Sequence, residues 1–494
     1  MNHPQKNTQP VKFSASLSHN KDLIHARFER DDTIVFRDVV NMYHPNLQCC
    51  VVFLDAISDA YFINESIIKP LSKIKLPTDT ISASLFPNIV NCNETHAFHF
   101  VDEAVFYMLR GDSLLLVQGL DEVFVLNTKG GSVRAVAEPD SEKNLLGPRD
   151  GFTEMLLTNI SLIRRRLQTS DLKLETSYIG TRSNTRICLA YLDDLVDKNT
   201  LCELKTRLAK IHIDAILDSN YIDECIKDSP LSPFKTIGKS EKPDIIAAKL
   251  LEGRIAILVD GSPIVLTVPY LFIENFQAND DYYVNCIFSS IGRSLRIIGF
   301  LFSIALPSFY IALIDFHQEM LPGMLLLNVA RATYNVPLSA TAECILMLLL
   351  FEVLRETGVR MPSKSDQALS IVGALVFGQA AISAGVVSKA VVIIVAFVGI
   401  TGLLVPKLKG ASIICRFLCV FLTTVYGLYG TFFGLLIIFI HLLSITSFNA
   451  FYLTGFGATT TQRTKDILWR APIWLMRDRP PFVAKEKRKR ASVQ

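Results

Sequence analysis

Apolar positions along the chain follow two different rules. Before about residue 290 they come in short runs set between charged residues, as in mixed α/β structure, and after it in runs too long and too uncharged for a soluble core. The run 386–406, VVSKAVVIIVAFVGITGLLVP, has Lys389 as its only charge. At roughly 1.5 Å per residue it crosses a hydrocarbon layer of about 30 Å as a helix. Its β-branched content does not make it a strand, because only a helix satisfies its own backbone in lipid. After the polar break Lys407-Leu408-Lys409-Gly410, the chain has apolar length for two more crossings, 411–429 and 431–448, and small residues over 427–431 predict the turn between them. An earlier crossing, 297–314, is entered through Arg293 and Arg296. Pro307 inside it lacks an amide proton and predicts a kink unless a neighbour repairs the lost bond.

Two weaker apolar segments lie between. Residues 337–354 carry Glu343 and Glu352, and 367–385 are uncharged. Basic residues precede the first crossing, and Arg463, Lys465, Arg470, Arg477, Arg479 and a KEKRKR tail follow the last. The positive-inside rule then puts both termini in the cytoplasm and makes the number of crossings even: four, or six if both weaker segments cross, with six preferred.

The soluble part repeats itself. Residues 49–55 read as a strand ending in Asp55, followed by a helical pattern over 59–73; RICLAYLDD, ending in the aspartates Asp193 and Asp194, is followed by a helical pattern over 198–210. Each copy closes with helix, glycine, strand, glycine, strand, so that Gly111 matches Gly253, Gly119 matches Gly261 and Asp55 matches Asp193. The expected fold class is α/β plus all-α membrane: two tandem duplicated α/β cytoplasmic subdomains followed by a polytopic transmembrane helical domain. The expected boundaries are a disordered N-terminus at 1–30, subdomain 1 at 31–145, a linker helix and subdomain 2 at 146–290, the membrane domain at 291–450 and a basic cytoplasmic tail at 451–494. The polar start of the chain has no apolar core of a signal peptide. In the linker helix, Arg164-Arg165-Arg166 reads as a solvated helix end, since cations there favour the dipole.

Composition narrows the chemistry. The net charge of +3 averages over two unlike parts, and nothing in the sequence supports nucleic-acid binding. Ten cysteines without a regular framework read as buried thiols in a reducing compartment, and nine scattered histidines form no metal-ligand cluster. Gly238-Lys239-Ser240 has Pro233 where a phosphate loop needs its first glycine, which excludes a nucleotide site there. No catalytic, cofactor-binding or metal constellation is present, and the chain is not expected to be an enzyme. Two sets of residues in the membrane part carry functional candidates. On a helical wheel of 367–385, Ser370, Ala374, Gly378, Ala381 and Gly385 share a face of small residues, which allows close helix approach as an internal contact, an intersubunit contact or a pore wall. Glu343, Glu352 and Gln379 are intramembrane polar candidates by the cost of burying such groups in lipid, unless the carboxylates sit solvated at an interface.

The stretches GPRDGFTE with IRRRL, DSPLSPFKTIGKSEKPD, LLEGRIAILVDGSP, VPYLFIENFQ, FHQEM, SIVGALVFGQAA and RAPIW, in that order over nearly the whole chain, resemble the A subunits of bacterial spore germinant receptors and a related late-sporulation A-type paralogue. The resemblance implies a multi-pass protein of the spore inner membrane. Its implied partners are a transporter-like B subunit, a C-subunit lipoprotein, membrane lipid and further copies of itself in an oligomeric ion channel. A solute transporter or a non-conducting scaffold is the alternative. Transporters tend to repeat their membrane halves, and here the visible repeat lies in the soluble part.

Overall fold

A computed structural model describes residues 11–44, 47–75, 86–92, 94–130, 139, 142, 146–334, 336–360, 376–454, 466, 469–476 and 479. The chain forms two units, the first from Met1–Lys227 and Ile237–Pro269, the second from Asp228–Thr236 and Tyr270–Met476. Nine residues, Asp228–Thr236, thus group with the second unit although they lie between two segments of the first.

The first unit contains two five-stranded antiparallel sheets. Strands β1 (Ile34–Val40), β2 (Gln48–Leu54), β3 (Thr95–Phe98), β4 (Ser113–Val117) and β5 (Val123–Leu126) lie in the order β1-β2-β4-β5-β3. Strands β6 (Leu172–Ile179), β7 (Thr185–Leu192), β8 (Gly238–Ser240), β9 (Ile255–Val259) and β10 (Val265–Val268) repeat that order as β6-β7-β9-β10-β8. The central strands are covered on both faces, which is why SLLLV and IAILV are continuous apolar runs without alternation. In the first sheet Cys50, Val52, Leu114 and Leu116 pack under α1 (Leu17–Arg27) and α2 (Val101–Met108), whereas Cys49, Val51, Phe53 and Leu115 pack under the helical segment 60–73. Burial pushes the Cys49 thiol up to about 12, so it behaves as a small apolar side chain.

The duplication extends further than its glycines. Gly111 and Gly253 end their helices at φ +101° and +92°, conformations that favour glycine. Ahead of each copy, an asparagine locks the entry to a helix. Asn20 accepts from the Ser14 N–H at 2.9 Å and donates to the Ser14 carbonyl at 2.6 Å. Asn159, in α3 (Leu156–Arg166), does the same with Thr153 at 2.8 and 2.6 Å.

Two expectations for this unit need correction. Residues 17–27, placed in a disordered N-terminus, form α1, whose Leu17 and Ile24 are buried in the core of the first sheet. Arg164 is not a solvated helix end: it is fully buried and pairs with the equally buried Asp31, and donates to Thr33 Oγ1 at 3.2 Å; Arg165 alone of the triplet is exposed. Gly238-Lys239-Ser240 is the edge strand β8, with Lys239 paired to Asp223 at 2.8 Å.

The second unit is helical. Its main elements are α6 (Cys286–Ile311), α7 (Gly323–Thr333), α8 (Ala340–Arg360), helical turns at 376–383, α9 (Lys389–Leu403) and α10 (Lys409–Ser444); in the first unit α4 (Lys198–Ala209) and α5 (Pro243–Leu251) precede them. Cys286–Phe316 and Pro406–Ser444 are each long and apolar enough to cross a membrane. The second of these is two arms. Gly427, at φ +59° and ψ −136°, leaves the helical region, and beyond it the chain doubles back: a Cβ on Gly430 would lie 2.1 Å from the Leu422 carbonyl, one on Gly434 2.9 Å from Cys419 Sγ, and Thr423 Oγ1 meets Thr431 Oγ1 at 2.9 Å. The arms of about 18 and 17 residues are roughly 27 and 26 Å long. This is the turn expected among the small residues of 427–431.

Part of the segment after α10 packs back against the start of α6. Asp466 accepts from Arg293 at 2.9 Å, and Arg470 is buried, donating to the Tyr282 and Val284 carbonyls at 3.2 and 3.4 Å. Arg296 and Arg293 both reach the buried Asp281, Arg296 through two bonds of 2.7 and 2.8 Å. The basic residues that enter α6 thus form a closed ion-pair network with part of the segment that follows α10.

Candidate functional site in the helical bundle

Pro307 sits inside α6 without an amide proton, so the carbonyl four residues earlier, that of Ser303, has no intrahelical donor. Arg416 supplies one. It lies on the first arm of α10, 1% exposed, and its Nε donates to the Ser303 carbonyl at 2.7 Å while Nη1 donates to Glu352 Oε1 at 3.0 Å. Glu352 also pairs with Arg355 one turn further along α8. A cation in an apolar bundle is tolerated because every strong demand on it is met nearby: a carboxylate for its charge and an orphaned carbonyl for a further donor.

Helix α8 carries both candidate glutamates. Ala340, Cys344, Met347 and Leu348 form its buried stripe at helical spacing, and Glu343 and Glu352 flank the stripe on opposite sides. Each therefore meets a different neighbour, Glu352 the α10 hairpin and Glu343 the start of α9. Glu343 is fully buried, and its Oε2 accepts from the Ser388 N–H at 2.7 Å, where Ser388 caps α9 through its own side chain. A carboxylate at that end satisfies a free N–H and meets the positive end of the helix dipole. Glu343 is buried and Glu352 partly buried against Arg416 and Arg355. Gln379 is exposed on the chain's surface.

The small-residue segment is described in part. Ser370 and Ala374 lie outside the described residues. Gly378 is buried, and a Cβ there would stand 3.8 Å from Val392 Cγ1, an ordinary contact. Ala381 packs against the buried cluster of Val387, Val391 and Val395. Gly385, at φ +67°, ends the helix: its N–H bonds Ile382 O and that of Val386 bonds Ala381 O. Tighter approaches occur elsewhere, at Gly299, where a Cβ would meet Leu404 Cδ1 at 2.7 Å, and at Gly399, where it would meet the Phe351 ring at 2.5 Å.

Sequence reasoning passed over Arg416, although the signal was in plain view: one arginine in ASIICRFLCV, within an apolar run, requires an acidic partner from another helix. The Ser303 carbonyl was implied by Pro307, but its donor was not. Among the described residues no group of three or more His, Cys, Asp or Glu side chains could hold a metal ion.

The family model of the Bacillus/Clostridium GerA spore germination protein matches residues 22–482. The chain is similar to spore germination protein KA of Bacillus subtilis (strain 168), 37% identical over 98% of this chain and 90% of that one. It is 36% identical to the uncharacterized membrane protein YfkQ of the same organism over 96% of this chain and 93% of that one, and 31% identical to spore germination protein A1 over 94% and 96%. A match of this length and depth spans the duplicated unit and the helical bundle together. The chain is a membrane protein of the GerA family, an A subunit of a spore germinant receptor.

Proposed function

We propose that the helical unit forms or gates an oligomeric ion channel that releases ions during spore germination, working with a transporter-like B subunit and a C-subunit lipoprotein in the spore inner membrane. The observation that carries this reading is that charged groups are held inside an otherwise apolar bundle, Glu343 at the start of α9 and Glu352 with Arg416. Such groups are costly in lipid and are kept where they serve transport or gating. In this scheme the Arg416–Glu352 pair, tied to the Ser303 carbonyl, is a latch between α6, α8 and the α10 hairpin. Six crossings are part of this reading, and neighbouring ends support it: Asp315 accepts from Thr341, Glu343 from Ser388, Gly299 meets Leu404, and Gly427 meets Phe316. Both termini are then cytoplasmic. The small-residue face of Gly378 and Ala381 serves as a contact between subunits or as a pore wall.

Bilayer conductance of the purified protein, with and without its B and C partners, tests the reading. Cation current that depends on the chain supports a channel. Saturable flux of a labelled solute in place of current indicates a transporter, and neither activity in the complete complex leaves a scaffold.

A further inference from the structure

Helix α6 begins with its charges turned inward and its apolar side chains turned outward. Arg293 is fully buried and Arg296 partly so; both reach the buried Asp281, and Arg293 also reaches Asp466. Over the same turns Ile287, Phe288, Ile291, Leu295, Ile298 and Leu301 are exposed at helical spacing, and no charged residue of this stretch is exposed among them. A helix end that stood in water would be built the other way round. The apolar face therefore starts at Ile287 rather than at Ile297. At 1.5 Å per residue the 26 residues of α6 measure about 39 Å, longer than a hydrocarbon core of about 30 Å but within the roughly 40–45 Å of a whole bilayer, so part of the helix lies among the headgroups.

The segment that follows α10 is pinned at this level of α6. Asp466 accepts from Arg293 at 2.9 Å and from Tyr282 Oη at 2.8 Å, the Arg470 N–H donates to Ser290 Oγ at 3.1 Å, and the Arg470 guanidinium is turned inward to the Tyr282 and Val284 carbonyls. With its polar groups spent inward, the segment leaves its tryptophans outside. Trp469 is 58% and Trp474 64% exposed, on either side of the buried Arg470 and Ala471. Tyr282, whose ring lies 5.7 Å from the Arg470 guanidinium, and Tyr283 are exposed at the same end of the helix. Rings with an apolar body and a polar tip favour the boundary between headgroups and hydrocarbon. We infer that residues 469–476 and the first turns of α6 form an interfacial collar whose partner is the bilayer itself, with Trp469 and Trp474 seated at headgroup level as anchors. Continuity selects the occupant: the segment that carries the tryptophans is bonded to Ser290, within one turn of Ile287 and Ile291, where the apolar face of a membrane helix begins. The collar takes 469–476 out of the cytoplasmic tail, and it stands whether or not the bundle conducts.

Trp469 and Trp474 are the only tryptophans in the sequence, so the tryptophan emission of the full-length protein reports on this segment alone. The protein is reconstituted in nanodiscs whose phosphatidylcholine carries bromine either near the glycerol end of the acyl chains or near their tips, and aqueous iodide is titrated in separately. The expected result is emission blue-shifted from that of the unfolded chain, a larger loss of emission to the shallow bromine than to the deep, and little loss to iodide. Trp469→Phe and Trp474→Phe, each leaving one reporter, should show the same order. Emission that iodide quenches as fully as in the unfolded chain, with no loss to brominated lipid, overturns the collar in favour of a solvated tail. Protection from both quenchers overturns it too, because the rings are then covered by protein, and a greater loss to the deep bromine overturns the headgroup seating. If either variant fails to accumulate, the parent carries the test, since both of its tryptophans contribute to the emission.

Discussion

Arg416 joins two defects that would each be costly alone, and replacing it should expose both. In Arg416→Met the new side chain keeps much of the volume but donates nothing. The Ser303 carbonyl, left by Pro307 and now served by Arg416 Nε at 2.7 Å, loses its donor, a loss of about 1–3 kcal/mol for a buried acceptor. Glu352 keeps Arg355 but loses its 3.0 Å bond to Arg416. Together we expect destabilisation of roughly 3 kcal/mol, at the low end for breaking a buried pair because Arg355 remains. The decisive variant adds Pro307→Ala. Its restored N–H donates to the Ser303 carbonyl in the normal helical pattern, so the second substitution should recover about 1 kcal/mol in the Arg416→Met background and do much less in the parent. Equilibrium unfolding of the purified full-length chain and the three variants in mixed micelles, followed by helical circular dichroism, measures the cycle. If the two changes add within about 0.5 kcal/mol, Arg416 and Pro307 are not linked through Ser303 and the repair argument fails.

Arg164→Met in the first unit strands the buried Asp31 and should cost roughly 3–5 kcal/mol, seen as faster hydrogen exchange along β6, while Asp31→Leu with Arg164→Met recovers most of it; unchanged exchange in the single variant would dismiss the pair as a clamp. Gly399→Ala puts a Cβ 2.5 Å from the Phe351 ring and should destabilise by about 1–3 kcal/mol, whereas Gly378→Ala, with Val392 at 3.8 Å, should stay within about 0.5 kcal/mol; equal thermal midpoints for the two would contradict the packing. Gly378→Leu should leave the protein in the membrane but weaken oligomers and abolish ion release, and at matched abundance normal crosslinking and conductance would show that this face is neither interface nor pore wall. Reporters fused near Lys21 and after Gln494 should both be cytoplasmic, and opposite locations would require an odd number of crossings.

The features legible in the sequence were those carried by local pattern. The paired glycines Gly111 and Gly253 marked the repeat because a positive φ after a helix leaves a residue-level trace, and the α10 turn showed as small residues between two apolar runs. What escaped depends on contacts distant in the chain. Arg164 looked like a favourable helix end, and only the fold brings Asp31, 133 residues away, to bury it. Residues 17–27 have almost no amphipathic signature, and their helix is held by the Asn20 lock and by Leu17 and Ile24, which no polar-content argument weighs. In the bundle, Glu343 and Glu352 were visible as costly residues, but their division between two partner helices was not, because a wheel gives directions without neighbours.

The α10 hairpin has a consequence for how the protein is made. No Asp, Glu, Lys or Arg occurs between Arg416 and Arg463, so neither the second arm nor the turn at Gly427 has a formal charge to move across the bilayer. The two arms can leave the ribosome and partition together as one inserted element. Arg416 is the exception, with an entry cost of about 2.5–3.5 kcal/mol for an arginine at mid-helix. Its partner Glu352 precedes it by 64 residues and has already been synthesised when Arg416 emerges. The order of the chain therefore lets the acid wait in the membrane for the base, and a ribosome-bound intermediate lacking 340–360 should insert its hairpin less efficiently than one that contains it.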